Sequence, residues 1–259
     1  MKPVALTIAG SDPSGGAGLQ ADLKTFHQFG IYGTSVVTLL TVQNTLCVSA
    51  VEPLPAALVL RQLHAVLADI PPQAAKTGAL GTAEIIKVIA DCAREFGFPL
   101  VVDPVMFSKH RAPLIDVQAR EDLRGRLLPV AFLLTPNLPE ASALTGAAVE
   151  DLAGMEQAAR TIAGMGSRAV LIKGGHLSGD AVDVLYYQGR MRRFAARRVP
   201  TPNTHGTGCT FSAAITAGLA KGLALEPAIE TAKLYITRAI EGNPGLGKGC
   251  GPVDHHAAI

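Results

Sequence analysis

The sequence predicts an α/β fold, a mostly parallel central sheet with helices on both faces, and three observations carry that prediction. Short apolar runs of strand length alternate with longer stretches of helical periodicity along nearly the whole chain. The strand runs are continuous Val, Ile, Leu and Ala, as strands covered on both faces require. The 27 glycines and 17 prolines supply the turns that so many connections need, while Trp is absent and the core must be aliphatic.

Val4 to Ala9 reads as the first buried strand, because it is apolar throughout and bounded by turn residues. The turn-rich Gly10-Ser11-Asp12-Pro13-Ser14-Gly15-Gly16-Ala17-Gly18 follows and opens a helix running to about Phe29. Ser35 to Val42 is a second buried strand and Val48 to Val51 a shorter extended piece. Pro55 to Ile70 is a helix with Leu58, Leu60, Leu63, Val66 and Leu67 on its apolar side. A strand at Ala74 to Thr77, a helix at Thr82 to Phe96 and a strand at Leu100 to Asp103 continue the alternation. A helix near Val117 to Leu128 and a strand at Ala131 to Thr135 come next, then helices near Leu138 to Leu144 and Asp151 to Met165. After a strand at Ala169 to Lys173, Val182 to Tyr187 and Arg192 to Ala196 read as a hairpin, and helices from about Thr207 to Lys221 and Pro227 to Glu241 close the series. In such a sheet ligands are expected at the carboxyl ends of the strands.

With 259 residues, 48% of them hydrophobic, and with no linker, repeat or low-complexity tract, one domain spanning 1–259 is expected. The net charge is only +2 and the basic residues are scattered, apart from Arg192, Arg193, Arg197 and Arg198 on the hairpin, so nucleic acid is not an expected partner. No run reaches membrane-spanning length and the first ten residues are too short an apolar stretch for a signal peptide, which predicts a soluble, cytoplasmic protein. Cys47, Cys92, Cys209 and Cys250 are far apart and form no CxxC pair, so they read as reduced thiols.

Thr204-His205-Gly206-Thr207-Gly208-Cys209-Thr210 runs directly into a helix. Its glycines let the backbone amides of residues 206 to 209 converge, and unpaired amides at a helix start form an anion site. Cys209 in that first turn feels the same field, which is expected to lower its pKa and make it a base. The plainer reading is a tight turn with Cys209 as a small buried hydrophobe, and the motif alone leaves both open.

Three strand ends carry polar residues suited to phosphate: Val102-Asp103-Pro104, Thr135-Pro136-Asn137-Leu138-Pro139-Glu140 and Lys173-Gly174-Gly175-His176. Asp103 and Glu140 suit magnesium, a hard cation that takes oxygen ligands, and Lys173 suits nucleotide phosphates. Singly, these are also a turn former, helix-start residues and a surface charge. Gln43-Asn44 closes the second strand, where a carboxamide can pair with the edge of a nitrogen heterocycle. Asp22 lies one turn into the first helix and either faces the same pocket or complements the helix dipole. Two glycine runs mislead. Gly16-Ala17-Gly18-Leu19-Gln20-Ala21 fits a dinucleotide fingerprint but starts several residues past its strand, and no ribose-binding acid closes the second strand. Gly242-Asn243-Pro244-Gly245-Leu246-Gly247-Lys248-Gly249 has phosphate-loop spacing but lacks the closing Ser or Thr and follows a helix.

Taken together and in order, Ala5 to Lys24, Gln43-Asn44-Thr45, Lys76-Thr77-Gly78, Val102-Asp103-Pro104-Val105-Met106, Thr135 to Glu140, Lys173 to His176 and Asn203 to Thr210 span nearly the whole chain. With them the sequence resembles the hydroxymethylpyrimidine/phosphomethylpyrimidine kinases of thiamine biosynthesis, within the ribokinase-like superfamily. The resemblance implies a three-layer ribokinase-like fold and ATP-dependent phosphorylation of the hydroxymethyl alcohol and then of its monophosphate. It implies an anion hole at Gly206, Thr207 and Gly208 with Cys209 as base, where most of the superfamily has an aspartate. Gly10, Asp22 and Gln43 would serve the pyrimidine; Lys173, Asn137 and Thr207 the ATP; Asp103 and Glu140 the magnesium. Dimers are common in the family, so a homodimer or higher homo-oligomer is expected. Two departures stand out: Ala79-Leu80 where relatives often have Met-Leu, and Phe107-Ser108-Lys109-His110-Arg111 where Ala-Lys-Ser-Gly is usual. They bear on the relative use of the two substrates. The rival readings are a pyridoxal kinase of the related cysteine-containing branch, against which Gln43-Asn44-Thr45 argues, a dinucleotide-dependent oxidoreductase resting on Gly16 to Ala21, and a non-catalytic ligand sensor.

Overall fold

The computed structural model describes residues 2–107, 114–175, 177 and 179–259. The 107–111 departure, apart from Phe107, and His176 of the third strand-end motif therefore lie outside the described residues. The strands are β1 Val4–Ser11, β2 Tyr32–Gln43, β3 Val48–Pro53, β4 Ala74–Thr77, β5 Leu100–Val102, β6 Leu133–Leu134, β7 Ala169–Ile172, β8 Ala181–Tyr187 and β9 Arg190–Ala196. They form one sheet in the order β3-β2-β1-β4-β5-β6-β7-β8-β9. The run from β2 to β7 is parallel, and β3, β8 and β9 pair antiparallel at the two ends.

Helices α1 Gly18–Gln28, α7 Thr207–Ala220 and α8 Leu225–Gly242 cover one face; α2 Ala56–Asp69, α3 Ala83–Ala93, α4 Val117–Asp122, α5 Leu138–Thr145 and α6 Leu152–Ala163 cover the other. Alternate residues of β1 divide between the two cores: Leu6 and Ile8 join the α2–α6 side, Ala5 the α1, α7 and α8 side. This confirms the three-layer α/β arrangement expected from the sequence.

Three local corrections have simple causes. In α2 the inward face is Val59 and Leu63, both fully buried, while Leu58 is 41% exposed. Spacing decides this, because Val59, Leu63, Val66 and Leu67 share one stripe of a helix that starts at Ala56. The helix predicted to run from Val117 to Leu128 is α4 followed by a π turn over Leu123–Leu127 and a 3-10 turn over Leu128–Val130. Pro129 sits in that last turn, where its missing N–H costs no helix bond. Finally, β2 extends to Gln43, which pairs with Val48 of β3, so Gln43 belongs to a hairpin end.

The parallel strands end on one edge of the sheet, and β1 lies where the chain order reverses between β2 and β4. Such a switch point opens a crevice at the carboxyl edge. Among the described residues, no helix is long and apolar enough to cross a membrane.

Candidate active site

The glycine turn before α7 is built by backbone conformation. Gly206 has φ +80°, and a Cβ there would stand 1.7 Å from the Gly16 carbonyl oxygen, so a side chain is excluded twice over. Gly18 has φ +56°, and a Cβ there would meet the Gly10 carbonyl at 2.3 Å. The two turns therefore lock against each other, and the Gly16-Ala17-Gly18 run that imitates a dinucleotide fingerprint forms one wall of the α7 turn. Gly10 itself sits where the β1–β2 register slips, and a Cβ there would strike Leu39 at 2.5 Å.

Cys209 lies in the first turn of α7, partly open to the crevice but surrounded by protein. The Gly18 N–H at the start of α1 also acts on its sulfur, so the thiol feels two helix starts at once. The expected lowering of its pKa does not occur. Burial pushes the Cys209 thiol up to about 11; Lys76 opposes this, Asp22 and Asp103 reinforce it, and the Gly18 N–H eases it. The helix-start field was legible in the sequence, whereas the desolvation and the two neighbouring carboxylates were not.

Beneath Cys209 sits an ion pair that the motif reading did not single out. Lys76 Nζ donates to Asp22 Oδ1 at 2.7 Å and Thr7 Oγ1 to Asp22 Oδ2 at 2.6 Å, with Lys76 and Asp22 both fully buried. Asp22 thus has both oxygens engaged from below. Burial raises its carboxyl even against Lys76; the lysine, although burial works to lower it, is held as a cation by Asp22, Cys209 and Asp103. The available signal was a lysine inside the otherwise apolar strand Ala74-Ala75-Lys76-Thr77.

The ends of β5 to β7 supply the second half of the site. Lys173 Nζ donates to Asp103 Oδ1 at 2.8 Å, and Ser212 and Thr135 donate more distantly to the same carboxylate at 3.3 and 3.4 Å. A side chain at position 208 would begin 3.3 Å from Lys173 Nζ and 3.7 Å from Asp103 Oδ2, so the α7 turn faces this pair directly. Lys173 remains a cation because Asp103 and Glu140 outweigh its burial.

Asn137 and Glu140 form a capping box at the start of α5, the Asn137 oxygen accepting from Glu140 N at 2.9 Å and Glu140 Oε2 from Asn137 N at 2.8 Å. The helix-start reading of these residues is correct as far as it goes. Glu140 does more: burial lifts its carboxyl to about 7 despite Lys173, with Asp103 adding to the rise. Thr207 spends its hydroxyl on the Thr204 carbonyl at 2.8 Å, which shapes the turn.

Gln43 reaches the other flank, its carboxamide 3.2 Å from His205 Nε2, and His205 in turn contacts Asp12 Oδ2 at 2.7 Å. Asn44 stays local, accepting from the Leu46 and Cys47 amides. The phosphate-loop look-alike at 242–249 packs on this hairpin instead of on an anion. Thr45 Oγ1 accepts from Lys248 N and Gly249 N at 3.2 Å each, and Cys250 N donates to the Thr45 carbonyl. The hairpin arginines are exposed and form surface ion pairs: Arg192 pairs with Glu226 and Glu230, Arg193 with Glu156, and Arg197, just past β9, with Glu241. A cleft of about 950 Å³ lies at the opposite, amino-terminal edge of the sheet, around Phe96, Phe98, Phe132 and Tyr187, and contains none of Cys209, Lys76, Asp22, Lys173, Asp103, Glu140 and Gln43.

The carboxyl edge therefore gathers amides, a buried thiol, two lysines and three carboxylates around one crevice, a composition suited to moving a charged group between two polar acceptors. A model of the family described as phosphomethylpyrimidine kinase matches residues 12–254. A hydroxymethylpyrimidine/phosphomethylpyrimidine kinase of Haemophilus influenzae is 48% identical over 97% of this chain and 96% of its own. The thiamine biosynthesis bifunctional protein ThiED of Geobacter sulfurreducens is 52% identical over 96% of this chain, which spans only 51% of that longer protein. Among solved structures, an ADP complex of Bacillus subtilis pyridoxal kinase superposes with a TM-score of 0.91 at 40% identity, covering 99% of this chain and 98% of that one.

Proposed function

We propose, from the premise that this chain belongs to the phosphomethylpyrimidine kinase family, that it transfers the γ-phosphoryl group of ATP to 4-amino-5-hydroxymethyl-2-methylpyrimidine. It then phosphorylates the monophosphate to the pyrophosphate used in thiamine biosynthesis, with residues 1–259 acting as one kinase domain. The observation that carries this reading is the meeting of the Gly206–Cys209 turn with Lys173 and Asp103 across one crevice.

The Thr207 N–H is bonded to the Thr204 carbonyl, so the amides of Gly208 and Cys209 are the ones that aim at the place where negative charge is redistributed during transfer, and being fixed by Gly206 and Gly16 they need no rearrangement. Lys173, permanently charged, neutralises phosphate oxygens of the nucleotide, and Asn137 and Thr207 shape the loops that hold it. Gln43 stands on the substrate side with Gly10 packed behind it, and Asp22, expected from the sequence to meet the pyrimidine, instead supports the site from below, since it is fully buried with both oxygens engaged by Lys76 and Thr7. Cys209 takes the hydroxyl proton. Because its thiol is held near 11, thiolate is scarce at neutral pH, so positioning and charge stabilisation supply most of the rate and the proton leaves late.

Asp103 and Glu140 fit a magnesium ion. They are buried carboxylates, 2% and 4% exposed, sharing one lysine, and among the described residues no cage of three or more His, Cys, Asp or Glu side chains exists. Magnesium keeps several waters and asks for only one or two carboxylates. When bound, the ion would neutralise phosphate charge, and its two carboxylates would reach it directly or through water.

A second reading has one observation behind it, the close superposition on a pyridoxal kinase. An ATP-coupled assay with the free alcohol, its monophosphate and pyridoxal side by side separates the two. Efficient use of both pyrimidines with poor use of pyridoxal is expected; pyridoxal turnover equal to or better than that of the alcohol overturns the assignment.

A further inference from the structure

Gln43 lies between two partners whose hydrogens can be counted. As placed, its Nε2 faces His205 Nε2 at 3.2 Å and its Oε1 faces Thr41 Oγ1 at 3.3 Å. The nitrogen and oxygen of a carboxamide are assigned by the hydrogens around them, and here both neighbours oppose that orientation.

His205 Nε2 stands 2.7 Å from Asp12 Oδ2. Asp12 is ionised: burial works to raise its carboxyl, but the bonds from His205 and Ser14 more than offset it. Its oxygens are otherwise filled by donors, Ser14 N and Ser14 Oγ on Oδ1 and Ala17 N on Oδ2. An acceptor so close to a carboxylate oxygen would be repelled, so His205 Nε2 carries a hydrogen whether the ring is neutral or charged. A ring N–H cannot face an amide NH2. Thr41 leads to the same result by a separate route. Its single hydroxyl hydrogen goes to the Ser11 carbonyl at 2.9 Å, which leaves only an acceptor toward Gln43.

We propose that His205 and Thr41 hold the Gln43 carboxamide turned by 180°, with Oε1 facing the His205 Nε2 hydrogen, which it shares with the nearer Asp12 Oδ2, and Nε2 donating to Thr41. They thereby act as positioning residues that set which end of the amide accepts and which donates toward the substrate's heterocycle. The inference rests on the reading that Gln43 meets that heterocycle. His205 directly precedes the Gly206–Cys209 turn, where the hydroxymethyl group is phosphorylated, so the accepting end lies on the side of the reacting carbon. In an aminopyrimidine alcohol the amino group is on the ring carbon next to the one bearing the hydroxymethyl. It donates to Oε1, and the adjacent ring nitrogen accepts from Nε2. A pyrimidinone with a carbonyl in place of that amino group, and N–H in place of that ring nitrogen, presents the reverse order and meets acceptor with acceptor and donor with donor.

Two measurements test this. In nitrogen-15 spectra of the histidine-labelled, substrate-free protein, His205 is expected to show a protonated Nε2; a bare Nε2 overturns the inference without recourse to any variant. In kinetics, the wild-type protein should favour the amino alcohol over the corresponding pyrimidinone by about 100-fold or more in kcat/KM. Asp12→Asn, which frees the His205 tautomer, should cut that ratio at least about tenfold, mainly through KM of the amino substrate. An unchanged ratio in Asp12→Asn, or a loss shared equally by both compounds, would mean a merely structural role. The underlying reading has its own failure mode: if Gln43→Met leaves the ratio as in the wild type, Gln43 does not touch the ring, whatever His205 carries.

Discussion

At the scale of single residues, the proposed chemistry turns on how Cys209 is housed. A base with a pKa near 11 gives a thiolate fraction that grows about tenfold per pH unit below that value, so kcat/KM should climb from about pH 7 to about pH 10 without a plateau. Cys209→Ala should lower kcat by roughly 10²- to 10⁴-fold while nucleotide still binds, as read by calorimetry, because the turn's amides remain. Cys209→Asp, a weaker base that is ionised at neutral pH, should restore part of the rate and move the rise of the profile to lower pH. Near-normal turnover of the alanine variant would make the thiol structural. On the substrate flank, Gln43→Met should weaken binding of the pyrimidine alcohol by about 1 to 3 kcal/mol, seen in KM, by leaving a heterocycle edge unpaired.

At the scale of elements, the site depends on β4 and α1 being fastened below it. The Lys76–Asp22 pair joins them with no water contact, and such a pair is costly to break by halves. Lys76→Met leaves a buried carboxylate alone and should cost about 3 to 5 kcal/mol of folding stability by denaturant melts, with Asp22→Asn added to it recovering a good part. If the double variant is no more stable than the single one, the pair is not what fastens these elements. The turns obey a stricter rule. Gly206→Ala must displace either the Gly16 carbonyl or the start of α7, so it should abolish transfer even where the protein still melts cooperatively.

At the scale of the whole molecule, Glu140 couples stability to pH. Its carboxyl rises from 4.5 to about 7 on folding, so the folded state binds this proton more tightly than the unfolded chain. The stability it contributes is present in full below about pH 4.5 and is lost as pH rises through about 7. At the proposed magnesium site a divalent cation would replace that proton. The Tm gained from magnesium with nucleotide should therefore be larger at about pH 8 than at about pH 6, and Glu140→Gln should flatten the difference. Equal gains at both pH values in the wild-type protein would place the ion elsewhere.

Local periodicity and turn chemistry in the sequence determined the element order, the parallel sheet and the edge on which Cys209, Asp103, Glu140, Lys173 and Gln43 gather, because those signals depend only on neighbours along the chain. The helix ends at Asn137 and Gly206 were legible for the same reason. Tertiary structure alone decided what each group feels. Lys76, 54 residues from Asp22, became its partner only through sheet pairing and helix docking. The decoy glycines at 16–18 became the wall of the α7 turn, and those at 247–249 a clasp on Thr45. The thiol of Cys209 went up rather than down because desolvation and neighbouring carboxylates act through space, across segments no sequence window contains.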